Sequence, residues 1–295
     1  MTIAATQQGR GRMNSVVVTG VATGIGWGCV NILLNKGFRV FGSVRKEVDA
    51  ARLQSQWGAN FEPLLFDVTD EAAVQAAAQR VKGTLAGEPL FGLVNNAGIA
   101  VPGPLLHLPI TAFRQQLDVN VVGQLIVTQA FAPLCGAAPH TPPRKGRIVN
   151  ITSVGGTSAS PFVGAYNSSK FAFEGLSEAL RRELMLFGVD VITVAPGAVR
   201  TPIWDKAEAI DVAQYEQTAY GPALRKVRAL MLAMGQKGLA PDAIGKAVHR
   251  ALTARAPKAR YVVTPDPVQN LIVNTLPRRL VDRIIARRLG LADKV

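Results

Sequence analysis

The sequence predicts an α/β fold in which a doubly wound parallel sheet carries helices on both of its faces. Short runs of β-branched and other apolar residues alternate along the chain with longer segments of helical periodicity, and this alternation is typical of a parallel sheet. The chain has 295 residues, of which 48% are hydrophobic. That length and composition exclude an intrinsically disordered chain and suffice for one large core. We therefore expect a single domain with about seven strands.

The predicted elements can be placed in chain order. Strands are expected at 15–19, 38–43, 61–66, 91–95, 146–152, 189–194 and 259–263. Helical periodicity lies at 24–36, 70–82, 111–135, 164–187 and 240–253. Residues 1–12 have neither the apolar core of a signal peptide nor an amphipathic pattern, so we expect a flexible tail before a domain that spans residues 13–295. A soluble, cytoplasmic protein is the expectation that follows.

The turn after the first strand is rich in glycine. A β-branched run starting at Ser15 breaks at Gly20, and helical spacing resumes at Gly24 and ends at Gly37. A strand, a glycine turn and a helix N-terminus in this order can hold the pyrophosphate of a dinucleotide, because the helix directs unpaired N–H groups at it. Gly20 would allow the tight turn, Gly24 the close approach of phosphate to backbone, and Gly26 the packing of helix on strand. Similar turns occur in α/β proteins without a cofactor. The glycine turn alone therefore does not predict a dinucleotide site.

The second feature is Ser153 in IVNITSVGG, followed thirteen residues later by Tyr166 and then by Lys170 in YNSSK. Residues four apart on a helix share a face, so Tyr166 and Lys170 can point into one pocket while the end of a strand delivers Ser153. We expect the Lys170 ammonium to lower the pKa of the Tyr166 phenol. A carbonyl that accepts hydride develops negative charge on oxygen, which the Ser153 hydroxyl and a proton from Tyr166 would stabilise. The hydride itself requires a cofactor.

Both features together resemble the short-chain dehydrogenase/reductase family, over nearly the whole chain from about Met13 onward. The glycine turn has the family's Gly-x-x-x-Gly-x-Gly form, and further matching segments follow in order: FDVTD, LVNNAGIA, LDVNVVG and VAPGAVRT. The resemblance implies a Rossmann-type fold and an oxidoreductase that transfers hydride between NAD(P) and an alcohol or carbonyl. The C-terminal third is also similar to the steroid and retinol dehydrogenase-like members.

The resemblance implies a catalytic set of Asn120, Ser153, Tyr166 and Lys170, all of which are present. Asn120 would hold a water that links Lys170 to solvent for proton resupply. Lys170 would also hydrogen-bond the nicotinamide ribose. The site would therefore combine a proton donor, a hydroxyl that binds the substrate oxygen, and a route for the proton.

The resemblance also implies the contacts of the cofactor. Asp67 and Val68 would meet the adenine, the segment 95–98 would pass beside the adenosine half, and residues 196–201 would cover the nicotinamide. The amide side chains of the segment 95–98 have the alternative role of stabilising turns. The expected cofactor-binding residues are Gly20, Thr23, Gly24, Ile25, Gly26, Arg45, Asp67, Val68, Asn95, Ala97, Gly98, Tyr166, Lys170, Pro196, Gly197, Val199 and Thr201.

The end of the second strand bears on the choice between NAD and NADP. An NAD site places a carboxylate there for the ribose 2′-hydroxyl, whereas an NADP site offers an arginine to the 2′-phosphate. Val44 stands where the acid is expected, and Arg45 follows it, which favours NADP. Alternatively Arg45 is a solvated residue at the start of the next helix, and Glu47 or Asp49 turns towards the ribose of NAD. Thr23 also weakens the NADP assignment, because many NADP-preferring relatives carry a basic residue at this position.

The two cysteines and three histidines give no sign of a metal site. Cys29 and Cys135 show neither a Cys-x-x-Cys motif nor metal-ligand spacing, and the histidines are scattered along the chain. We therefore expect no metal and two buried free thiols, as is usual in a reducing compartment.

The chain is basic, with 33 lysines and arginines against 20 acidic residues and a formal charge of +13. Much of the excess lies in a predicted amphipathic helix at 267–290, where arginines flank an apolar stripe. This helix could dock on the fold, contact another subunit or lie on a membrane surface. Nucleic acid is not an expected partner, because aromatic residues make up only 6% of the chain and no recognition motif occurs.

The family resemblance implies a substrate lid at 196–239, and the apolar loop 101–108 is expected to contribute further substrate contacts. Both are apolar and lack an acid-binding cluster, which favours a hydrophobic alcohol or carbonyl compound, such as a steroid, a retinoid or a lipid, over a sugar or a phosphorylated metabolite. Some of these residues could instead pack the lid. The apolar lid residues are Ile203, Trp204, Tyr215, Tyr220, Leu224, Leu230, Met231, Leu232 and Met234.

The function predicted from the sequence is interconversion of a hydrophobic alcohol and its carbonyl compound, with NADP favoured over NAD. One alternative is an NAD-linked alcohol dehydrogenase that works oxidatively. Another is a dinucleotide-binding regulator without catalysis, and a methyltransferase is a third, which would need neither Tyr166 nor Lys170. A homodimer or homotetramer is expected, because family members usually assemble through the helices at 111–135 and 164–187.

Overall fold

The computed structural model describes residues 13–139, 145–204 and 215–292, so the predicted tail (1–12) and the centre of the predicted lid (205–214) lie outside it. Its centre is a sheet of seven parallel strands in the order β3-β2-β1-β4-β5-β6-β7. The predicted fold class and every predicted strand are confirmed, with shifts of one or two residues at strand ends. The strands are β1 (Ser15–Val18), β2 (Arg39–Val44), β3 (Phe61–Leu65), β4 (Gly92–Asn95), β5 (Arg147–Ile151), β6 (Asp190–Pro196) and β7 (Arg260–Val263).

Helices form the crossovers between these strands. The described helices are α1 (Gly24–Asn35), α2 (Glu47–Trp57), α3 (Glu71–Leu85), α4 (Ile110–Leu117), α5 (Gly123–Phe131), α6 (Gly164–Glu183), α7 (Gly221–Lys237), α8 (Pro241–Thr253), α9 (Pro267–Thr275) and α10 (Arg278–Leu289). Helix α2 shows no clear apolar periodicity in the sequence, because it is largely polar and fully buries only Leu53. Helix α7 falls within the segment predicted as a lid.

Both faces of the sheet are covered, as parallel strands require. Successive residues of β1 point to opposite faces: Val16 and Val18 pack with α1, α2 and α8, whereas Val17 packs with α3 and α5. The same alternation places Val40 and Phe41 of β2 on opposite faces. This burial on both sides explains why the strands read as continuous apolar runs.

The direction of the crossovers reverses at β1, which lies between β2 and β4. At such a point the loops diverge at the carboxyl edge of the strands and leave a crevice in which α/β proteins bind ligands. Gly20, after β1, lies in this crevice beside the loop after β4, since a Cβ on Gly20 would be only 2.9 Å from the Cα of Ala97. The predicted glycine turn therefore stands at the position where a dinucleotide site is expected.

The C-terminal segment differs from its prediction. Instead of one helix at 267–290 it forms two, α9 and α10, because Pro277 lacks an N–H and disfavours helical backbone at the residue before it. Leu276 is accordingly extended, with φ −66° and ψ 149°. Helix α10 packs Ile285 and Leu289 against α7 in a third apolar cluster outside the two faces of the sheet.

The helical run Ile110–Cys135 is long and apolar enough to span a membrane by length and composition. It comprises α4, a π-helical turn at Asp118–Val122, α5 and a short 3₁₀ turn. Side chains of α5 such as Val127 and Phe131 are fully buried in the core on one face of the sheet. In this fold the run is therefore a core element.

Candidate active site

The glycine turn after β1 forms a cradle against the start of α1. Gly20 has a φ of +69°, and a Cβ on Gly26 would lie 2.2 Å from the Gly20 carbonyl oxygen. The Ser43 hydroxyl, near the end of β2, accepts a hydrogen bond from the Gly20 N–H at 2.9 Å. The left-handed conformation at Gly20 and the close approach at Gly26 both require glycine. This is the backbone geometry that lets a pyrophosphate approach the turn.

The N-terminus of α1 has no side-chain cap. Thr23, the N-cap residue, has an extended backbone and makes no capping hydrogen bond, and no acidic residue occurs in the first helical turn. The first N–H groups of a helix have no partner within it and carry the positive end of its dipole. The residues of this turn therefore fit the phosphates of a dinucleotide.

Hydrogen bonds join the loops after β1 and β4. The Thr19 hydroxyl accepts from the N–H groups of Asn96 and Ala97, both at 2.9 Å. The Asn96 amide donates to the carbonyl oxygens of Thr19 at 2.8 Å and Gly20 at 3.1 Å. The Asn96 side chain thus has the turn-stabilising role that the sequence offered as an alternative.

The Asn95 side chain is engaged within the protein. It is fully buried and donates to Thr128 Oγ1 at 2.8 Å and to Asn150 Oδ1 at 2.9 Å. Asn150 in turn donates to Ser177 Oγ at 2.8 Å. The Asn95 amide therefore ties β4 to α5 and β5, and any contact of this residue with a cofactor is through its main chain.

Arg45 and Asp67 lie together at the carboxyl ends of β2 and β3. The Arg45 side chain is 71% exposed, and its guanidinium lies 3.7 Å from the Asp67 carboxylate. Burial raises the pKa of Asp67, but hydrogen bonds from Thr69 and the Arg45 charge outweigh burial and hold that pKa below its ordinary value. Arg45 is thus an accessible positive charge beside the crevice.

The hydrophobic residues among the predicted cofactor contacts pack into the protein. Ile25 of α1 lies against the core under one face of the sheet. Val68 is buried next to α5, since a Cβ on Gly123 would be 2.7 Å from its Cγ2. Gly98 adjoins the Asn120 side chain, whose Oδ1 would be 3.2 Å from a Cβ on Gly98.

Ser153 and Tyr166 meet beyond the end of β5. Ser153 begins a short 3₁₀ turn, in which its Oγ accepts a hydrogen bond from the Gly155 N–H at 3.0 Å. Tyr166 lies in the first turn of α6 with its ring beside Ser153, since a Cβ on Gly155 would be 3.3 Å from Ser153 Oγ and 3.7 Å from Tyr166 Cε1. Burial raises the pKa of the Tyr166 phenol above its ordinary value of 10.0, and the Ser153 hydroxyl opposes this rise. The predicted lowering of this pKa by Lys170 is wrong, because burial of the phenol dominates.

Lys170 lies one helical turn after Tyr166 and is buried. Its ammonium donates to the Ile151 carbonyl at 2.9 Å and lies 5.8 Å from the centroid of the Tyr166 ring. Burial lowers the pKa of Lys170 to about 8, and the Glu174 carboxylate opposes that fall. Lys170 therefore keeps its proton at neutral pH, although its affinity for that proton is reduced.

An ion pair behind the site was not predicted from the sequence. Arg260 Nε of β7 donates to Glu174 Oε1 of α6 at 3.0 Å, and Arg260 Nη2 lies 3.5 Å from the Ser153 carbonyl oxygen. The pair joins the helix that carries Lys170 to the turn that carries Ser153. No sequence pattern signals it, because the two residues are 86 positions apart.

Asn120 lies in the π-helical turn Asp118–Val122. Its Oδ1 accepts from the Ile99 N–H at 2.8 Å, and its Nδ2 donates to the Ile99 carbonyl and to Ser169 Oγ, both at 3.0 Å. Ser169, whose role the sequence did not predict, donates to the Tyr166 carbonyl at 2.7 Å. Because the Asn120 side chain is fully used, a water held there would bind the main chain of the π turn, a feature common at functional sites.

The segment 196–201, after β6, reaches the glycine turn. A Cβ on Gly24 would lie 3.1 Å from Thr201 Cγ2. Gly197 packs against Thr264, and Val199 pairs with Leu239 at the end of α7. These contacts bring the predicted cover of the nicotinamide next to the cradle.

Four rings form an aromatic group beside the predicted lid and the loop 101–108: His107, Phe162, Tyr215 and Tyr220. Ring centroids are 5.7 Å apart for Phe162 and Tyr220, and 5.8 Å apart for His107 and Tyr220. Phe162 has a φ of +64°, a strained conformation for a bulky residue, and its carbonyl accepts from the Gly103 N–H at 2.7 Å. The two tyrosines were expected lid residues, whereas the place of Phe162 depends on a backbone conformation that residue patterns do not signal.

Cysteines and other metal-binding side chains are not grouped. Within the described ranges, no cluster of three histidine, cysteine or acidic side chains could hold a metal ion. Cys29 and Cys135 are buried free thiols, as predicted, and burial raises the pKa of each to about 12. Both are inert at neutral pH.

A dinucleotide cradle at the switch point of a doubly wound sheet, with serine, tyrosine and lysine side chains beside it, defines a class of enzymes: nicotinamide-dependent oxidoreductases. The family model described as short chain dehydrogenase matches residues 14–211. The chain therefore belongs to the short-chain dehydrogenase family. The family resemblance predicted from the motifs is confirmed. The protein is accordingly an oxidoreductase that works with NAD(P).

Individual relatives are similar to this protein over almost the whole chain. The chain is 38% identical over 278 residues to an NADPH-dependent 3-dehydrocapnine reductase of Ornithobacterium rhinotracheale, covering 94% of this chain and 98% of that protein. It is 34% identical over 285 residues to retinol dehydrogenase 5 of Mus musculus, covering 92% and 87%. A solved short-chain dehydrogenase from Streptomyces avermitilis superposes with a TM-score of 0.73 at 23% identity, covering 96% and 99%. The last likeness concerns the fold alone.

Proposed function

We propose that the protein reduces an apolar ketone or aldehyde to the corresponding alcohol with NADPH. The observation that carries this proposal is the placement of Ser153 beside Tyr166, with the Lys170 ammonium 5.8 Å from the Tyr166 ring and the glycine cradle at the same sheet edge. When bound, NADPH supplies a hydride from its nicotinamide. The residues of the chain then have to bind the substrate oxygen and deliver a proton to it.

Tyr166 can act as the proton donor in reduction. A phenol is protonated at neutral pH, so it can donate its proton to the carbonyl oxygen as negative charge develops there. The Ser153 hydroxyl would donate a hydrogen bond to the same oxygen. The Lys170 ammonium would stabilise the phenolate that remains, and a water on the main chain of Asn120 would return the proton.

The cradle residues would hold the cofactor. The uncapped N-terminus of α1 would bind the pyrophosphate, and Lys170 would hydrogen-bond the nicotinamide ribose. The segment 196–201 would cover the nicotinamide and exclude water from it. Asp67 and the main chain of the segment 95–98 would lie along the adenosine half.

The charges at the end of β2 support NADPH over NADH. Val44 is buried and supplies no carboxylate, whereas the Arg45 guanidinium is exposed and can reach a 2′-phosphate. Asp49, a candidate for the ribose of NAD, is held by Arg52 at 3.0 Å. The relative from Ornithobacterium rhinotracheale is described as NADPH-dependent.

The aromatic group supports an apolar substrate. Phe162 and Tyr215 are buried with apolar residues of α7, and the loop 101–108 adds exposed Leu105 and Leu106. Pockets lined by such side chains select apolar ligands. The names of the relatives, a 3-dehydrocapnine reductase and a retinol dehydrogenase, describe a carbonyl reduction and an alcohol oxidation.

The test compares kcat/KM for NADPH and NADH with a panel of apolar ketones and aldehydes. The wild-type protein should prefer NADPH by at least about tenfold, equivalent to about 1.4 kcal/mol. Arg45→Ala should lose this preference. Arg80→Ala, which removes an equal charge from α3 where Arg80 pairs with Glu62, should keep it. Equal or better use of NADH would contradict the cofactor assignment and favour an NAD-linked alcohol dehydrogenase.

Assembly and location stay predictions. We expect residues 13–295 to act as one domain with a lid at 196–239, and a homodimer or homotetramer to form through α4, α5 and α6. A cytoplasmic location is expected from the buried free thiols. Light scattering of the purified protein would give the subunit number.

A further inference from the structure

Helices α9 and α10 expose apolar and cationic side chains together. On α9, Leu271 is 62% exposed, and on α10, Ile284 is 52% exposed. The neighbouring apolar residues Val268, Ile272 and Leu280 are exposed as well. We call the outward faces of α9 and α10 the C-terminal surface. Single exposed apolar residues are common on soluble proteins, but five on two consecutive helices are more than scattered exposure would give, which indicates a surface that binds a partner.

The charge of this surface restricts its partner. Residues 267–292 contain five arginines and a single aspartate, Asp282. On α10, Leu280, Arg283, Ile284 and Arg287 follow the spacing of one helical face. A second copy of this chain would bring a formal charge of +13 and the same arginines against the surface. Interleaved apolar and arginine side chains match anionic headgroups above an acyl layer.

The other face of α10 is already occupied. Ile285 and Leu289 pack on Leu224 and Val227 of α7, within the cluster that contains Phe162 of the aromatic group. Helix α9 follows the carboxyl end of β7 directly, and Asp266 caps it through the Gln269 N–H at 3.0 Å. The C-terminal surface therefore stands on the same sheet edge as the crevice and is joined to the lid helix.

We propose that the C-terminal surface docks on an anionic phospholipid bilayer. Leu271 and Ile284 enter the outer acyl region while Arg283 and its neighbours bind the phosphates of the headgroups. Because α10 rests on α7, docking through α10 would bring α7 and the cluster that contains Phe162 near the bilayer. An apolar substrate could then enter from the lipid, a consequence that rests on the proposed function, whereas docking itself does not.

The test is sedimentation of the full chain with vesicles. One set of vesicles contains phosphatidylcholine alone, and the other contains equal parts of phosphatidylcholine and phosphatidylglycerol. The protein should sediment with the anionic vesicles, much less with the neutral ones, and less again as salt is raised. Arg283→Ala should lower the partition coefficient by about fivefold, and Ile284→Ser should lower it as well.

Two control variants lie at the opposite, amino-terminal edge of the sheet. Arg255→Ala, before β7, removes the same charge, and Leu186→Ser, before β6, removes a side chain that is 83% exposed. Both should bind the anionic vesicles like the wild-type protein. Because sedimentation needs no turnover, its result is independent of the proposed reductase activity.

Two outcomes would overturn the proposal. The first is failure of the wild-type protein to sediment with anionic vesicles, or loss of binding in the control variants equal to that in Arg283→Ala. The second is a dimer, measured by light scattering, that dissociates in Ile284→Ser but not in Leu186→Ser. That result would assign the C-terminal surface to a second copy of the chain.

Discussion

The proposed cofactor side and the proposed substrate side of the crevice hold their residues in different ways. On the cofactor side, Thr19, Ser43 and Asn96 each form hydrogen bonds with the backbone of the facing loop. On the substrate side, rings such as Phe162 and Tyr220 meet edge to face among apolar residues of α7 and α10. Hydrogen bonds and close glycine contacts allow only one arrangement of the two loops. Apolar side chains can repack when one of them is replaced by another of different shape. The cofactor side should therefore tolerate far less substitution.

Adding one methyl group at Gly26 should disrupt the glycine turn and abolish cofactor binding. A Cβ on Gly26 would lie 2.2 Å from the Gly20 carbonyl oxygen and 2.6 Å from Asn96 Nδ2. Because the Gly20 oxygen is backbone and Asn96 is held in place, we expect Gly26→Ala to lower the free energy of unfolding by about 3 kcal/mol. NADPH binding should be lost. Urea denaturation and cofactor fluorescence would measure the two effects.

The matched control is Gly175→Ala in the middle of α6. A Cβ on Gly175 would meet no atom within 4 Å. Alanine favours a helix over glycine, so this variant should raise the free energy of unfolding by about 0.5–1 kcal/mol and keep NADPH binding. Similar destabilisation in Gly26→Ala and Gly175→Ala would refute the cradle geometry.

Replacement of Lys170 should raise the stability of the protein but abolish its activity. Its folded pKa of about 8 lies below the model-peptide value of 10.5, so the unfolded chain binds the proton more tightly. The stability of the wild-type protein should therefore rise as pH increases from about 8 to 10.5, because the unfolded state alone retains the proton there. Lys170→Met removes this cost and should stabilise the protein at neutral pH by about 2 kcal/mol while abolishing turnover.

Thermal unfolding at neutral and alkaline pH would check this prediction. The variant should be the more stable protein at neutral pH, and the difference should shrink as pH rises. A Lys170→Met protein that unfolds at a lower temperature than the wild type at neutral pH would show that the buried ammonium is not a cost.

The substrate side should respond to polarity more than to shape. Tyr220 lies between Phe162 and His107. Tyr220→Ser should raise KM for apolar substrates by about tenfold, whereas Tyr220→Leu should change it by less than about threefold. The dissociation constant of NADPH should stay unchanged in both. A loss of NADPH affinity in Tyr220→Leu would mean that the two sides are not separable.

The smallest expected effect concerns the ion pair behind the site. Removing the negative charge of Glu174 should lower the pKa of Lys170 further, because that carboxylate opposes the effect of burial. In Glu174→Gln the alkaline limb of the kcat/KM profile should move to lower pH by a fraction of a unit. Glu178→Gln, one turn further along α6 and paired with Arg182, should leave the profile in place.

The cofactor side could be predicted well from the sequence, since its features are local. A positive φ at Gly20 and a close backbone approach at Gly26 both require glycine, so these features are visible in the sequence. The serine, tyrosine and lysine could also be placed, because strand end and helix spacing determine where they point. The structure brings all three together.

The remaining features depend on distances between remote segments. Arg260 meets Glu174 across 86 positions, and Ser169 meets Asn120 across 49. The pKa of Tyr166 depends on burial, which a motif does not specify, and its predicted direction was wrong for that reason. The division of the C-terminal segment at Pro277, by contrast, was missed although it depends on a proline visible in the sequence.

The role of Tyr166 as proton donor can be measured by single-turnover oxidation of NADPH with an apolar ketone, in the wild-type protein and in Tyr166→Phe. We expect Tyr166→Phe to bind NADPH as tightly as the wild type but to reduce the ketone at least about a hundredfold more slowly, because the proton donor is gone. Near-normal reduction by Tyr166→Phe would show that Tyr166 is not the proton donor, since the proton would then come from elsewhere.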